Sequence, residues 1–299
     1  MAADGLLAQV LTDEPMRRHT SLGIGGPAAM FAAPQDEQAL RELLAYAGGE
    51  AGMPVYFIGG GTNLLVSDAP VRAFVISSVG FQGLSVLDEG RQEATVEAGA
   101  GVSLSSLLTF CMRKGFAGLE GLRGIPGSVG GAVCGNAGAF GRRMEDSVRT
   151  VTVMTGAGAV KRVIKDRIGF AYRGTGLPEG DFIISARLAF TRDDPGRIKK
   201  RMDEFFREKK NTQPLMGRSA GCVFKNPEGG LPPAGKLIED AGLKGARRGD
   251  IEVSAIHANF FLNRGRGTAS DFLALMDMVR EKVFENTGVL LVPEIRRMP

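Results

Sequence analysis

The chain has 299 residues, 43 of them Gly, with 37 Lys+Arg against 33 Asp+Glu for a net charge of +4. So small an excess of positive charge argues against whole-surface nucleic-acid binding and suits a local anionic ligand, while two histidines and three cysteines (Cys111, Cys134, Cys222) without a Cys-x-x-Cys pair argue against a disulfide scaffold and a metal site. No apolar run reaches the roughly 18 residues of a membrane span, and the first fifteen residues lack the basic start and apolar stretch of a secretory signal, so none is expected; the cysteine usage fits a reducing cytoplasm.

In chain order, Ala39, Leu40, Leu43, Leu44 and Ala47 recur at helical spacing and predict a helix over 36–48, ended by Gly48-Gly49. The apolar run 55–58 predicts a buried strand that feeds into Gly59-Gly60-Gly61-Thr62-Asn63. Strands follow at 73–77, 84–87 and 94–98. A helix over 103–114 has Ser103 as its cap, Leu104, Leu107, Leu108 and Cys111 on one face, and Gly115 where it stops. Residues 115–141 are glycine-rich and read as loop. Strands are predicted at 148–155, 159–164 and 181–190, then a basic helix at 197–210 with Ile198, Met202, Phe205 and Phe206 as its apolar stripe. A strand at 253–262, a helix at 270–286 and a final strand at 289–296 complete the chain, Pro293 marking the last as an edge or a bulge. Strands and helices mix without regular βαβ alternation, which predicts an α+β fold. The polar turn 191–196 predicts the main boundary, between 1–192 (two subdomains, about 1–80 and 81–192) and 193–299.

Five segments can carry chemistry. Gly59–Asn63 can form a nest of backbone N–H groups for phosphate oxygens, or a simple strand-end turn; it has no Gly-Lys-Ser/Thr continuation, and Leu64 breaks a Gly-x-Gly-x-x-Gly pattern. Gly124-Ile125-Pro126-Gly127-Ser128-Val129-Gly130-Gly131-Ala132, running on to Asn136 and Gly138, can let backbone approach a flat or charged ligand, or pack as a tight loop. Two such loops in one region suit the two ends of a dinucleotide diphosphate. Arg173, after Tyr172, can hold a carboxylate or developing negative charge, or lie on the surface beside a core Tyr. Cys222 in Ser219–Pro227 is either accessible or a small buried hydrophobe. Glu294 either manages protons inside an apolar strand or faces solvent on an edge. The basic helix is a solvated face with internal ion pairs, or a nucleic-acid contact.

Taken in order, Thr20–Ala28, Gly59–Val66 with Asp68, Gly118-Leu119-Glu120-Gly121, Gly124–Ala132, Asn136-Ala137-Gly138, Tyr172-Arg173, Ala220–Pro227, Ser254 with His257-Ala258-Asn259-Phe260, and Pro293-Glu294-Ile295 resemble the UDP-N-acetylenolpyruvoylglucosamine reductases (MurB type) over about 17–297. The resemblance implies non-covalent FAD in a domain of the vanillyl-alcohol-oxidase type, and a C-terminal α+β domain for the UDP-sugar, its last strand returning to the FAD region. It places the cofactor on Gly59, Gly60, Gly61, Thr62, Asn63, Leu64, Gly124, Ile125, Pro126, Gly127, Ser128, Gly131, Asn136, Gly138 and Ile183, and the substrate on Tyr172, Lys225 and Asn226.

The same resemblance implies that NADPH reduces FAD and leaves, and that the enolpyruvyl ether of UDP-N-acetylglucosamine then takes its place and is reduced to UDP-N-acetylmuramate for peptidoglycan. Arg173 and Glu294 would stabilise the enol intermediate, and position 222 would donate the proton. Many members carry Ser there; this chain carries Cys, a stronger acid than an alcohol. His257 and Asn259 would be structural. The short stretch 174–180 leaves no room for the substrate-capping loop of one subgroup, so the shorter subgroup is expected. The alternatives are an FAD oxidase of the same superfamily and, with a different outcome, a nucleotide- or RNA-binding module on the basic helix. A monomer with a small-molecule substrate, no nucleic acid and no membrane span is the expected state.

Overall fold

A computed structural model describes residues 10–49 and 51–299. The chain divides into two compact units, and the described part of the first comprises residues 10–12, Met30–Gly60 and Arg72–Glu208. The second comprises Asp13–Ala29, Gly61–Val71 and Lys209–Pro299. Three chain segments therefore build each unit. A four-stranded sheet runs in the order Leu11–Pro15, Pro27–Ala32, Val71–Ser77, Val55–Ile58, the last two strands parallel.

In the first unit, helix Glu37–Gly48 starts where the Asp36 carboxylate accepts the Ala39 N–H, satisfying an otherwise orphaned donor. Its stripe of Leu40, Leu43, Leu44 and Ala47 is buried with Phe74, Ile76, Phe81, Met154 and Phe182. The main sheet follows the order Val160–Ile164, Val148–Met154, Phe182–Arg192, Glu93–Gly99, Leu84–Glu89, antiparallel throughout. Along Phe182–Phe190, buried and half-buried residues alternate, as expected of a strand with one face on a core. That face meets helix Leu104–Lys114, which Ser103 caps at one end and Gly115 (φ +72°) at the other.

The basic helix, Pro195–Thr212, buries Ile198 and Met202 on the same core. Its Arg201 guanidinium donates twice to the buried Glu120 carboxylate (3.1 and 2.6 Å), Phe205 stacks on Phe140 at 4.8 Å, and Arg123 lies over the more exposed Phe206. Much of the stripe is thus spent on intramolecular packing.

Cys111 lies in this core, and burial, followed by the Glu120 carboxylate, pushes its thiol from 9.0 up to about 12. An unfolded chain releases that proton near pH 9, whereas the folded chain holds it to about 12. Stability therefore falls as pH rises through that window, by roughly 1.4 kcal/mol per pH unit from this group. Urea midpoints of wild type and Cys111→Ala, compared from pH 8 to 10.5, should converge as pH rises; parallel curves would show that the thiol does not stay protonated.

In the second unit, helix Ala269–Thr287 begins with a reciprocal Thr268–Asp271 box, and the Asp68 carboxylate accepts the Ala269 and Ser270 N–H groups at 2.8 and 3.1 Å. Phe272, Leu275, Met276, Val279 and Val283 face the core with Phe224, Phe261 and Ile238. Arg247–Arg248, Ile251–Val253 and Phe261–Asn263 form a small antiparallel sheet, and Arg296–Met298 pairs in parallel with Leu64–Val66. Among the described residues no helix is long and apolar enough to cross a membrane.

Three predicted elements differ from those observed. The strand predicted at 253–262 is two strands, because the Ser254 hydroxyl accepts the Ile256 and His257 N–H groups and turns the chain between them. Residues 289–295 form no sheet strand: Pro293 has no N–H to give, and the segment makes a single bridge, to Phe224. The glycine-rich loop at 115–141 contains a 3-10 turn, Glu120–Leu122, and a short helix, Val129–Cys134, started by Ser128. Sequence reading also missed the strands Leu11–Pro15 and Pro27–Ala32 and the helix Ala234–Asp240.

Candidate functional site

In the first unit the two glycine loops lie against each other. The strand Val55–Ile58 delivers Gly59 and Gly60 to the Gly127-Ser128 backbone. A Cβ on Gly59 would sit 2.5 Å from the Ser128 hydroxyl, and one on Gly60 would sit 3.2 Å from the Gly127 Cα. A Cβ at the first position would have to displace the Ser128 hydroxyl, which caps the following helix. Gly124 and Gly127 hold positive φ (83° and 111°), which bends the second loop. The Gly127 carbonyl accepts the Leu104 N–H at 3.0 Å, anchoring the loop to the start of a helix. Ile125 and Ile183 are half-buried against the main core, while Pro126, Gly60 and Gly131 are exposed. The result is a rim of bare backbone on a rigid support, the lining that a diphosphate needs.

Tyr172 and Arg173 occupy a reverse turn closed by two hydrogen bonds between Ala171 and Gly174, of 3.0 and 3.3 Å. Arg173 takes φ +60°, at the turn position where Gly is the usual residue. A left-handed non-glycine residue costs about 1–3 kcal/mol and persists only where its surroundings over-determine it. Here the guanidinium lies over the Tyr172 ring, 5.3 Å from its centroid, and donates from Nη1 to the Gly138 carbonyl at 3.3 Å. Tyr172 is 42% exposed, while Arg173 is half-buried. Asn136 is buried, and its amide donates to the Ala171 carbonyl (3.0 Å) and to Glu145 (2.9 Å) while accepting the Glu145 N–H (3.2 Å).

The second unit gathers the remaining residues. Gly61 (φ +61°) is fixed by its neighbours: a Cβ there would fall 1.9 Å from the His19 carbonyl. The Ser21 N–H donates to the Gly61 carbonyl and the Ser21 hydroxyl to Ser219 (2.6 Å), so the 20–26 segment braces two predicted site segments at once. Asn63 donates to the Glu294 carbonyl (3.2 Å) and accepts the Arg296 N–H. Residues 223–225 run beside 292–294, where the Glu294 N–H donates to Val223 (2.7 Å) and the Lys225 N–H to Val292 (2.8 Å), while Cys222, next in the chain, bridges to Phe260. Cys222 and Glu294, both half-buried, are thereby held on adjacent stretches although 72 residues apart in sequence.

Asn259 clamps this pairing with both ends of its amide, accepting the Phe224 N–H (2.9 Å) and donating to the Phe224 carbonyl (2.8 Å). His257 accepts the Asn259 N–H at Nδ1, and burial lowers its pKa, which favours the neutral ring. Asn226 is exposed and accepts the Ala234 N–H at the start of helix Ala234–Asp240. Thr62 and Leu64 are half-buried on the same segment as Asn63. Among the described residues no cluster of His, Cys, Asp and Glu could hold a metal ion.

Glu145 was not singled out from the sequence, and Ser21 was read only as part of the Thr20–Ala28 motif, with no role assigned. A repeating apolar period marks a helix or a strand, but no local pattern marks a Ser or a Glu whose partner lies tens of residues away.

Residues 28–164 match the family model described as an FAD binding domain, and residues 213–298 match that of the UDP-N-acetylenolpyruvoylglucosamine reductase C-terminal domain. Curated relatives named UDP-N-acetylenolpyruvoylglucosamine reductase include one from Geobacter sulfurreducens, 42% identical over 96% of this chain and 93% of its own. Another, from Heliobacterium modesticaldum, is 42% identical over 96% of this chain and 90% of its own. A crystal structure of UDP-N-acetylenolpyruvylglucosamine reductase (MurB) from Thermus caldophilus superposes with a TM-score of 0.82 at 36% identity, covering 97% of this chain and 98% of that one.

Proposed function

Because the chain belongs to the UDP-N-acetylenolpyruvoylglucosamine reductase family, we propose that it reduces the enolpyruvyl ether of UDP-N-acetylglucosamine to UDP-N-acetylmuramate in peptidoglycan synthesis. The observation that carries this reading is the pairing that brings Cys222 and Glu294 onto adjacent stretches, with Asn63 bonded to the same backbone. An acid pair beside a cofactor loop is what addition of hydride and proton across a vinyl ether requires.

FAD, when bound, carries hydride from NADPH to the vinyl carbon. The two glycine loops, with bare backbone exposed at Gly60 and Gly131, would hold its diphosphate. Residues 1–192 then carry the cofactor loops together with Tyr172 and Arg173, and 193–299 the remaining contacts to the UDP-sugar. Arg173 meets the substrate carboxylate, whose charge grows as hydride arrives; a charge-assisted contact strengthens with that charge. Glu294 shares stabilisation of the enol, and the Cys222 thiol gives the proton to the carbon beside the carboxylate. Tyr172, Lys225 and Asn226 bind the nucleotide-sugar. The enzyme acts as a monomer in the cytoplasm.

An anaerobic visible spectrum tests this reading directly. The protein should be yellow, bleach with NADPH and regain its colour with the enolpyruvyl ether. Recovery with O2 alone would identify an oxidase, and a protein that takes up no FAD would remove the flavin reading. A second test concerns Cys222. Cys222→Ser should retain substantial activity and, with half-buried Cys134 changed to Ala in both proteins, resist iodoacetamide, which should inactivate the enzyme that keeps Cys222; buried Cys111 should stay unlabelled in both. An inactive Cys222→Ser enzyme would show that the thiol does something an alcohol cannot.

A further inference from the structure

We propose that Asn136, with Glu145, is a positioning residue for Arg173: its amide fixes the turn that holds the guanidinium in place. The proposal rests on the reading of Arg173 given above. Helix Val129–Cys134 ends with Gly135, and Asn136 follows at φ +40°. The Ala137 N–H donates to Ala132 and the Asn136 N–H to Val133, the paired bonds of a Schellman ending. Glycine would serve that ending at least as well, so the ending alone does not explain a buried amide.

What the side chain adds is long-range. Its Nδ2 reaches the carbonyl of Ala171, the first residue of the turn whose third residue is Arg173, at 3.0 Å. Its other bonds run to Glu145, whose carboxylate is also held by Arg143 at 2.9 Å. Both donors and the acceptor of the amide are therefore engaged, and the amide cannot rotate without losing one of them. Two residues further on, the Gly138 carbonyl accepts from the Arg173 guanidinium. The stretch 136–138 thus grips both the base of the turn and the head of the arginine. Arg173 sits at φ +60°, a conformation an L-residue leaves when its surroundings loosen. Loss of the amide should let the turn relax and move the guanidinium off its station, with no contact between Asn136 and substrate.

The test uses the flavin-loaded full chain and reads the two half-reactions separately by anaerobic stopped flow. Asn136→Gly keeps the left-handed ending and removes only the amide. The resemblance places the cofactor near Asn136, but its amide is spent on Ala171 and Glu145; the variant should therefore retain FAD, be reduced by NADPH at close to the wild-type rate, and be reoxidised by the enolpyruvyl ether on the order of 10- to 100-fold more slowly. In an Arg173→Ala background the same change should add no further slowing, because the residue acts through Arg173. If Asn136→Gly does not fold, Glu145→Ala carries the same test, with a smaller slowing that also vanishes in the Arg173→Ala background.

Slowing of equal size in both backgrounds, loss of FAD, or an unimpaired Asn136→Gly beside a slow Arg173→Ala would overturn the proposal alone. An Arg173→Ala enzyme that reoxidises at the wild-type rate would overturn the Arg173 reading and this proposal with it.

Discussion

Arg173→Ala is expected to keep its FAD, accept hydride from NADPH at close to the wild-type rate, and lose about 10²–10³-fold in reoxidation by the enolpyruvyl ether. The magnitude follows from the loss of one preorganised donor aimed at charge that develops during reaction. The selectivity follows from the structure. Alanine at φ +60° is strained as arginine is, so the substitution neither relieves nor adds backbone cost in the Ala171–Gly174 turn. The guanidinium donates to the Gly138 carbonyl at 3.3 Å, a bond to a neutral acceptor and of modest worth. Arg173→Lys should recover part of the rate, since it restores charge but not the planar fork. Stopped-flow traces of the two half-reactions decide the matter. A variant that purifies without flavin would show that Arg173 supports the cofactor loops; equal slowing of both half-reactions would show a general loosening of the fold.

The elements that were legible in the sequence were those whose determinants are local. Helix Leu104–Lys114 has its serine cap, its apolar stripe and its terminal glycine within thirteen residues, and each does in the structure what its chemistry dictates. The central strand Phe182–Arg192 reads as a strand because its alternation is intrinsic. Residues 289–295 misled because apolar, β-prone composition reports a preference for extension and not a partner; the partner, 223–225, lies some 70 residues upstream and offers one bridge.

The candidate site divides in the same way. Gly59, Gly60 and Gly127 were legible as places where a side chain is unwelcome, and their mutual approach supplies the reason. The left-handed backbone of Arg173 was not legible, because Arg carries none of the preference that Gly or Asn would have advertised. Asn136 was read for its neighbourhood, a glycine-rich loop, whereas its amide is committed to residues 9 and 35 positions away. Local sequence announces bare backbone and regular periodicity; it does not announce which distant carbonyl a buried amide will find.

Glu294→Gln is the substitution expected to have the second largest effect on reoxidation, about 10²-fold or more, the usual worth of a positioned acid or base. Glutamine has the shape of glutamic acid, and two backbone bonds hold this position in the pairing. Its N–H donates to Val223 at 2.7 Å and its carbonyl accepts from Asn63 at 3.2 Å, and neither bond depends on the side chain. The pairing that holds Cys222 alongside therefore survives, as does the Asn259 clamp on Phe224. What is lost is the exchangeable proton of the carboxyl group. Two consequences separate this from a change of shape. Flavin reduction by NADPH should be untouched, since no proton transfer from the protein to the enol enters that half. The pH profile of reoxidation should also lose the limb that the carboxyl group contributes, leaving whatever limb belongs to the Cys222 thiol. A Glu294→Gln enzyme that is slow but keeps the wild-type profile would show that the ionisation of this carboxyl group does not govern stabilisation of the enol.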